Sequence, residues 1–111
     1  MELIETSAFT RQITALLSDE EYSGFQSRIA ANPRLGVLIR GGGGIRKVRL
    51  AVGSRGKSGG ARIIYYWAVR KDVILLLFAY SKNVAADLTP KQISQLAKVV
   101  KEEYGSEEAD V

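Results

Sequence analysis

Residues 45–80, IRKVRLAVGSRGKSGGARIIYYWAVRKDVILLLFAY, contain three consecutive segments that read as β-strands. The first segment, IRKVRLAV, alternates apolar and basic side chains, which is typical of a strand with one covered face. The second, ARIIYYWAV, is rich in β-branched and aromatic residues, and the third, VILLLFAY, is a continuous apolar run typical of a strand covered on both faces. The simplest arrangement of the three is an antiparallel meander.

Alternation in the first segment sorts its side chains onto two faces. It predicts one apolar face and one cationic face, with Val48, Leu50 and Val52 on the first and Lys47 and Arg49 on the second.

Helical patterns flank the meander. The opening ELIET reads as a short strand and is followed by a helix over residues 7–17. Ser18, with Glu21 three residues later, forms a capping box that begins a second helix, which ends near Asn32-Pro33. A last helix begins at Thr89-Pro90.

This order predicts a small α+β domain with a small antiparallel sheet, two N-terminal helices and one C-terminal helix. We expect the helices to pack on one sheet face, which leaves part of the other face free for function. We expect a single domain over residues 1–104 and a flexible tail over 105–111.

Composition excludes several kinds of chemistry. The sequence has no cysteine and no histidine, so disulfides, thiolate chemistry, a Cys/His zinc site and a histidine general base are excluded. We expect no cofactor. No apolar run reaches the ~18 residues that cross a bilayer and the N-terminus lacks a signal-peptide pattern, so we expect a cytoplasmic protein with no membrane partner.

The charge is unevenly distributed along the chain. The formal net charge is +4, yet no Asp or Glu occurs from Tyr22 to Lys71, while arginines and lysines are frequent there. Such a stretch is typical of a phosphate-binding surface. The alternative is a solvated basic face without a polyanionic partner.

The segment GSRGKSGG, residues 53–60, partly resembles a phosphate-binding P-loop. The first glycine of that pattern would fall at Ala51, and a strand follows where a P-loop requires a helix, so we reject this interpretation. A glycine-rich basic hairpin loop carrying Arg55 and Lys57 remains, with a plain connection as the alternative.

Three cations are predicted to cluster. If the second strand pairs with the first as a hairpin, Arg62 lies near Lys47 and Arg49 on one face. Opposed like charges destabilise a sheet unless an anion neutralises them, which favours a phosphate site over a merely solvated face.

Aromatic side chains offer further candidates. Successive residues of a strand point to opposite faces, so at least one of Tyr65, Tyr66 and Trp67 belongs to the core. Tyr80, next to Ser81-Lys82, is better placed to stack on a base or to transfer a proton.

Together these segments resemble a known family. GGGGIRKVRLAVGSRGKSGGARIIYYW, preceded by DEEYSGFQSRIAANPRLG and followed by LLFAYSKNVAADLT, is similar to the HigB branch of the RelE-type toxins, within the RelE/ParE superfamily. The resemblance covers about residues 18–96 and is specific as a combination, although no single piece is.

The resemblance implies a RelE-like fold and a ribosome-dependent, metal-independent endoribonuclease. Such a toxin enters the A site of the 30S subunit, cuts mRNA and is neutralised by a co-expressed antitoxin, here HigA-like with a helix-turn-helix domain. The strand cations of such toxins correspond to Lys47 and Arg49, and the arginine that opens the next strand corresponds to Arg62.

One feature of the family pattern is missing. Some members carry a proton-transferring tyrosine in their final segment, whereas this chain has no tyrosine between Tyr80 and Tyr104. We move that role to Tyr80, Tyr65 or Lys82, and we assign RNA binding to Arg46, Arg55, Tyr65 and Asn83.

Cleavage by the RNA 2′-hydroxyl requires a base, charge stabilisation at phosphorus and a proton for the leaving oxygen. A lysine crowded by cations, Lys47 or Lys57, is the expected base, with Arg49 and Arg62 stabilising the added charge. Two alternatives remain open. They are a ParE-like inhibitor of DNA gyrase with the same fold and an RNA-binding module without catalysis.

Overall fold

The computed structural model describes residues 1–51, 60–82 and 87–109, with side chains up to residue 105. It contains, in chain order, β1 (Glu2–Glu5), α1 (Ser7–Leu16), α2 (Asp19–Ala31), β2 (Val37–Leu38), β3 (Arg46–Leu50), β4 (Ala61–Ala68), a 3₁₀ turn (Val69–Lys71), β5 (Val73–Ser81) and α3 (Pro90–Ala109).

The strands form one five-stranded sheet in the order β1-β5-β4-β3-β2. β3, β4 and β5 are antiparallel neighbours, as predicted, and the α+β class is confirmed. The sheet as a whole is mixed, because β1 runs parallel to β5. The two-residue strand β2, which the sequence did not suggest, pairs antiparallel with β3 at the edge.

The expectation that all helices pack on one sheet face is wrong. One core lies under α1 and α2, around Phe9, Phe25 and Ile63, and a second lies under α3, around Ile64 and Val100. β4 and β5 carry apolar side chains on both faces, so both faces require cover. A functional surface on the sheet is therefore to be sought where β3 and β4 carry charged side chains on the α3 face, at Lys47, Arg49 and Arg62.

Capping residues place the helices where the sequence predicted. Ser18 accepts the amide proton of Glu21 while the Glu21 carboxylate accepts that of Ser18. The same reciprocal pair joins Thr89 and Gln92 at the start of α3. α3 is interrupted by a kink at Gly105, whose φ is 76°.

A β-bulge in β5 reverses which sheet face each side chain after the bulge points to. Ile64 pairs with Phe78 but the next residue, Tyr65, pairs with Leu76, so Leu77 is the extra residue. Leu77 and Phe78 consequently both pack into the core under α3. Bulges re-aim the side chains that follow them, and this one turns Tyr80 toward the α3 face.

Within the described residues, none of the helices combines the length and the apolarity needed to span a bilayer.

Candidate active site

A row of three side chains crosses the sheet on the α3 face. Arg49 of β3 lies directly opposite Arg62 of β4, and Arg62 lies opposite Tyr80 of β5. Directly opposed residues of antiparallel strands share a face. Lys47 lies two residues before Arg49 on the same face, so the predicted grouping of Lys47, Arg49 and Arg62 is confirmed. We call these three residues the cationic cluster.

Arg62 forms the floor of the cluster. It is 7% exposed, and its Nη1 donates a long hydrogen bond of 3.4 Å to the carbonyl oxygen of Ala61. Among the described residues it has no carboxylate partner. A buried guanidinium without an anion is costly, so an arriving anion would gain a strong interaction.

Gly60 makes room for this arginine. A Cβ atom on Gly60 would lie 2.9 Å from the carbonyl oxygen of Leu50 and 3.3 Å from Nη1 of Arg62. Glycine is therefore required where β3 and β4 come together beside the cluster.

Tyr80 is buried to the same extent as Arg62. Its side chain is 7% exposed, and its hydroxyl is buried with no hydrogen-bond partner among the described residues. Burial raises the pKa of the phenol above its ordinary value, the Asp87 carboxylate raises it further, and Arg62 opposes the shift. The phenol is therefore protonated at neutral pH.

A carboxylate that the sequence analysis did not select also lies at the cluster. Asp87 precedes α3, and its Oδ1 lies 2.6 Å from Nζ of Lys47, 40 residues away along the chain. The hydrogen bond and the charge of Lys47 hold the pKa of the Asp87 carboxyl below its usual range, and Arg49 and Arg62 contribute. No local sequence signal marks Asp87, because only the packing of α3 brings it to β3.

The cluster borders a surface groove of about 390 Å³. It is lined by residues from α2, from the connection that follows α2, from β2 and from β3: Arg28, Leu35, Val37, Lys47, Val48 and Arg49. Arg28 is exposed and adds a further cation beside the cluster, which the sequence analysis had counted only as part of the basic stretch.

The assignment of Tyr65 to RNA binding or proton transfer is corrected. Tyr65 is fully buried in the core under α1 and α2, on the sheet face opposite the cluster. Its hydroxyl donates to the carbonyl oxygen of Pro33 at 2.6 Å and accepts the amide proton of Gly36 at 2.8 Å. Both of these bonds fix the chain before β2, which is a structural role.

The assignment of Arg46 to RNA binding is also corrected. Arg46 alternates with Lys47, so it lies on the Tyr65 face, and its Nη1 donates to the carbonyl oxygen of Gly36 at 2.8 Å. An arginine bound to backbone on the opposite face does not join the cluster.

Lys82 lies two residues after Tyr80, at the end of the sheet where β4 begins. It follows β5 with an exposed side chain, and its amide donates to the carbonyl oxygen of Gly60 at 2.9 Å. The other selected residues, Arg55, Lys57 and Asn83, lie outside the described residues, as does Val52 of the predicted apolar face.

Comparison with known proteins gives the family. Residues 6–111 match the family described as the RelE toxin of the RelE/RelB toxin-antitoxin system. The chain belongs to the RelE toxin family.

A solved structure agrees in fold. The chain is similar to a double arginine-to-alanine mutant of the E. coli toxin RelE in the free state, with a TM-score of 0.54 and 15% sequence identity. The match covers 88% of this chain and 94% of that chain.

Proposed function

We propose that this toxin is a ribosome-dependent endoribonuclease of the HigB type that cuts mRNA and so inhibits translation. The observation that carries the proposal is the row formed by Arg49, Arg62 and Tyr80 on one sheet face. It combines two permanent cations with a protonated phenol, which suits a reaction that adds negative charge at phosphorus and releases an alkoxide.

In the proposed reaction the RNA supplies its own nucleophile. The 2′-hydroxyl attacks the neighbouring phosphorus, and Arg49 and Arg62 stabilise the charge that builds on the phosphoryl oxygens. Tyr80 gives its proton to the leaving 5′-oxygen. The products are a 2′,3′-cyclic phosphate and a 5′-hydroxyl, and no metal ion is assigned a step.

The partners follow from the same proposal. The substrate is mRNA in the A site of the 30S subunit, in the cytoplasm, and the basic surface around the cluster would contact the RNA backbone. Neutralisation is assigned to a HigA-like antitoxin with a helix-turn-helix domain, whose acidic or apolar segments cover part of the toxin.

Two parallel assays test the proposal. The purified protein is added to a cell-free translation reaction in which mRNA ends are mapped, and to a DNA gyrase supercoiling reaction. Codon-phased cuts that require ribosomes, with normal supercoiling, are the expected result. A supercoiling defect without cuts would indicate a ParE-like gyrase inhibitor instead, and neither effect would indicate a binding module.

A further inference from the structure

The proposed reaction needs a group that accepts the proton of the 2′-hydroxyl. The sequence has no histidine, and arginine stays protonated at any working pH. Tyr80 holds its proton at neutral pH. Of the two lysines expected to act as the base, Lys47 donates a hydrogen bond to a carboxylate, and Lys57 lies outside the described residues.

Asp87 differs from these groups because its carboxyl is ionised at neutral pH and can accept a proton. Only Oδ1 of its carboxylate is bonded to Lys47, and Oδ2 has no partner among the described residues. Its side chain is 72% exposed, so a substrate can reach that oxygen.

The charges around Asp87 are compatible with RNA binding. A lone carboxylate would repel a phosphodiester, but the pair of Lys47 and Asp87 is neutral overall. The two guanidiniums of Arg49 and Arg62 are left to hold the phosphate. The charges of both arginines also act on the Asp87 carboxyl, and Asp87 is hydrogen-bonded to Lys47, two residues before Arg49 on the same face of β3. A phosphate held by Arg49 and Arg62 would therefore lie on the same part of the sheet as Asp87.

We propose that Asp87 is the general base of the cleavage reaction and that Lys47 orients it. This inference rests on the proposed function. Oδ2 of Asp87 takes the 2′-hydroxyl proton as the 2′-oxygen bonds to phosphorus, and the bond from phosphorus to the 5′-oxygen breaks. That oxygen receives the Tyr80 proton, and exchange with water afterwards restores both side chains, so no other reactant is consumed.

Asp87→Asn tests the proposal, with Asp72→Asn as the matched control. Asp72 is also an exposed aspartate in an ion pair, at 3.2 Å from the amino group of Met1, but it lies beyond the far end of β4. Its φ is 55°, which asparagine tolerates. Single-turnover cleavage on mRNA-programmed ribosomes should fall about 10²–10⁴-fold in Asp87→Asn and stay at the wild-type rate in Asp72→Asn.

Binding is measured separately with an uncleavable codon that carries a 2′-deoxyribose. Asp87→Asn should bind these ribosomes at least as tightly as the wild type, because a negative charge has been removed. Weaker binding together with a lower melting temperature would assign Asp87 a structural role and overturn the proposal. Faster cleavage would also overturn it, because Asp87 would then be a competitor of the phosphate.

The pH profile supplies a readout that a structural role would not move. Within the described part of the chain, the titratable and charged groups that act on Asp87 are Lys47, Arg49, Arg62 and Tyr80, and Arg40 lines the same groove as Asp87. With the pKa of its carboxyl below the usual range, the wild-type rate should be flat from about pH 6 to 8. In Asp87→His, the remaining rate should rise with pH through about 6.5, the ordinary pKa of histidine. A wild-type rate that climbs steadily over this range would contradict an aspartate base.

Failure of this inference is distinguishable from failure of the proposed function. If the wild type makes codon-phased cuts and Asp87→Asn cuts equally fast, only the assignment of the base is wrong. If the wild type makes no cuts, the endoribonuclease proposal itself fails.

Discussion

Arg62 carries a permanent charge on a side chain that is 7% exposed, directly opposite a second arginine. If it stabilises the transition state, Arg62→Ala should lower the cleavage rate about 10²–10³-fold. Circular dichroism should show an intact fold, because the change relieves repulsion within the sheet. Cleavage on programmed ribosomes measures the rate.

Two further variants control this prediction. Arg49→Ala changes an exposed member of the same row and should also lose activity, while Arg11→Ala removes an exposed arginine of α1 and should not. Translation arrest by Arg62→Ala at the wild-type dose would show that the assignment is wrong.

Tyr80→Phe tests the role of the hydroxyl independently of the role of the ring. The ring keeps its packing and a buried hydroxyl without a partner is lost, so the free energy of unfolding should stay the same or rise. Cleavage should fall about 10²-fold or more, since the proton donor is gone. Denaturant unfolding and single-turnover cleavage provide the two measurements, and unchanged cleavage would exclude the hydroxyl as the donor.

Tyr65→Phe should show the opposite behaviour. Its hydroxyl binds Pro33 and Gly36, so the change leaves a buried amide without an acceptor and should cost about 1–3 kcal/mol of unfolding free energy. Once temperature is adjusted for the lower stability, the cleavage rate should match the wild type. A specific loss of cleavage would restore Tyr65 to the site.

Among the residues of the site, the sequence revealed the cations but not their carboxylate. Alternation placed Lys47 and Arg49 on one face, and hairpin pairing added Arg62. Asp87 was missed because its contact with Lys47 depends on where α3 begins, which is tertiary information. Tyr65 was misassigned although alternation from Arg62, three residues earlier, already places it on the opposite face of the strand.

At the scale of single elements, the capping box of α2 permits a matched test. Ser18→Ala removes the side-chain acceptor of the Glu21 amide and should cost about 1 kcal/mol, a few degrees in melting temperature. Ser23→Ala, an exposed change inside the same helix, should leave stability unchanged or slightly higher. Equal melting temperatures for the two variants would contradict a stabilising cap.

The elements predicted best are those with local signals. Capping residues located α2 and α3, and the apolar runs located β4 and β5. The sheet face on which α3 packs was not predicted. A strand that is apolar on both faces does not indicate which helix covers which face. The bulge in β5 was also missed, since nothing in VILLLFAY marks Leu77 as the extra residue.

For the whole molecule, the concentration of basic residues in the middle of the chain predicts steep salt dependence. Affinity for single-stranded RNA should fall linearly on a logarithmic scale as salt rises. Each lost phosphate contact should reduce the slope by about 0.7, so Arg49→Ala should bind with a shallower slope than the wild type. Titrations between 50 and 200 mM salt measure this, with Arg11→Ala as the control, and equal slopes for all three proteins would place Arg49 away from the RNA backbone.

The overall topology was only partly accessible from the sequence. The α+β class followed from the order of elements, but the parallel pairing of β1 with β5 joins segments about 70 residues apart in the chain, and no local pattern specifies it.

Inserting or deleting one residue within β5 would move each downstream side chain of the strand to the opposite face of the sheet. Tyr80 would then leave Arg62 and join the layer of α1 and α2, although no residue of the site had been replaced. An insertion or deletion in this strand therefore preserves the site only when it adds or removes an even number of residues. The number of residues between the start of β5 and Tyr80 therefore matters to the row as much as the identity of Tyr80 itself.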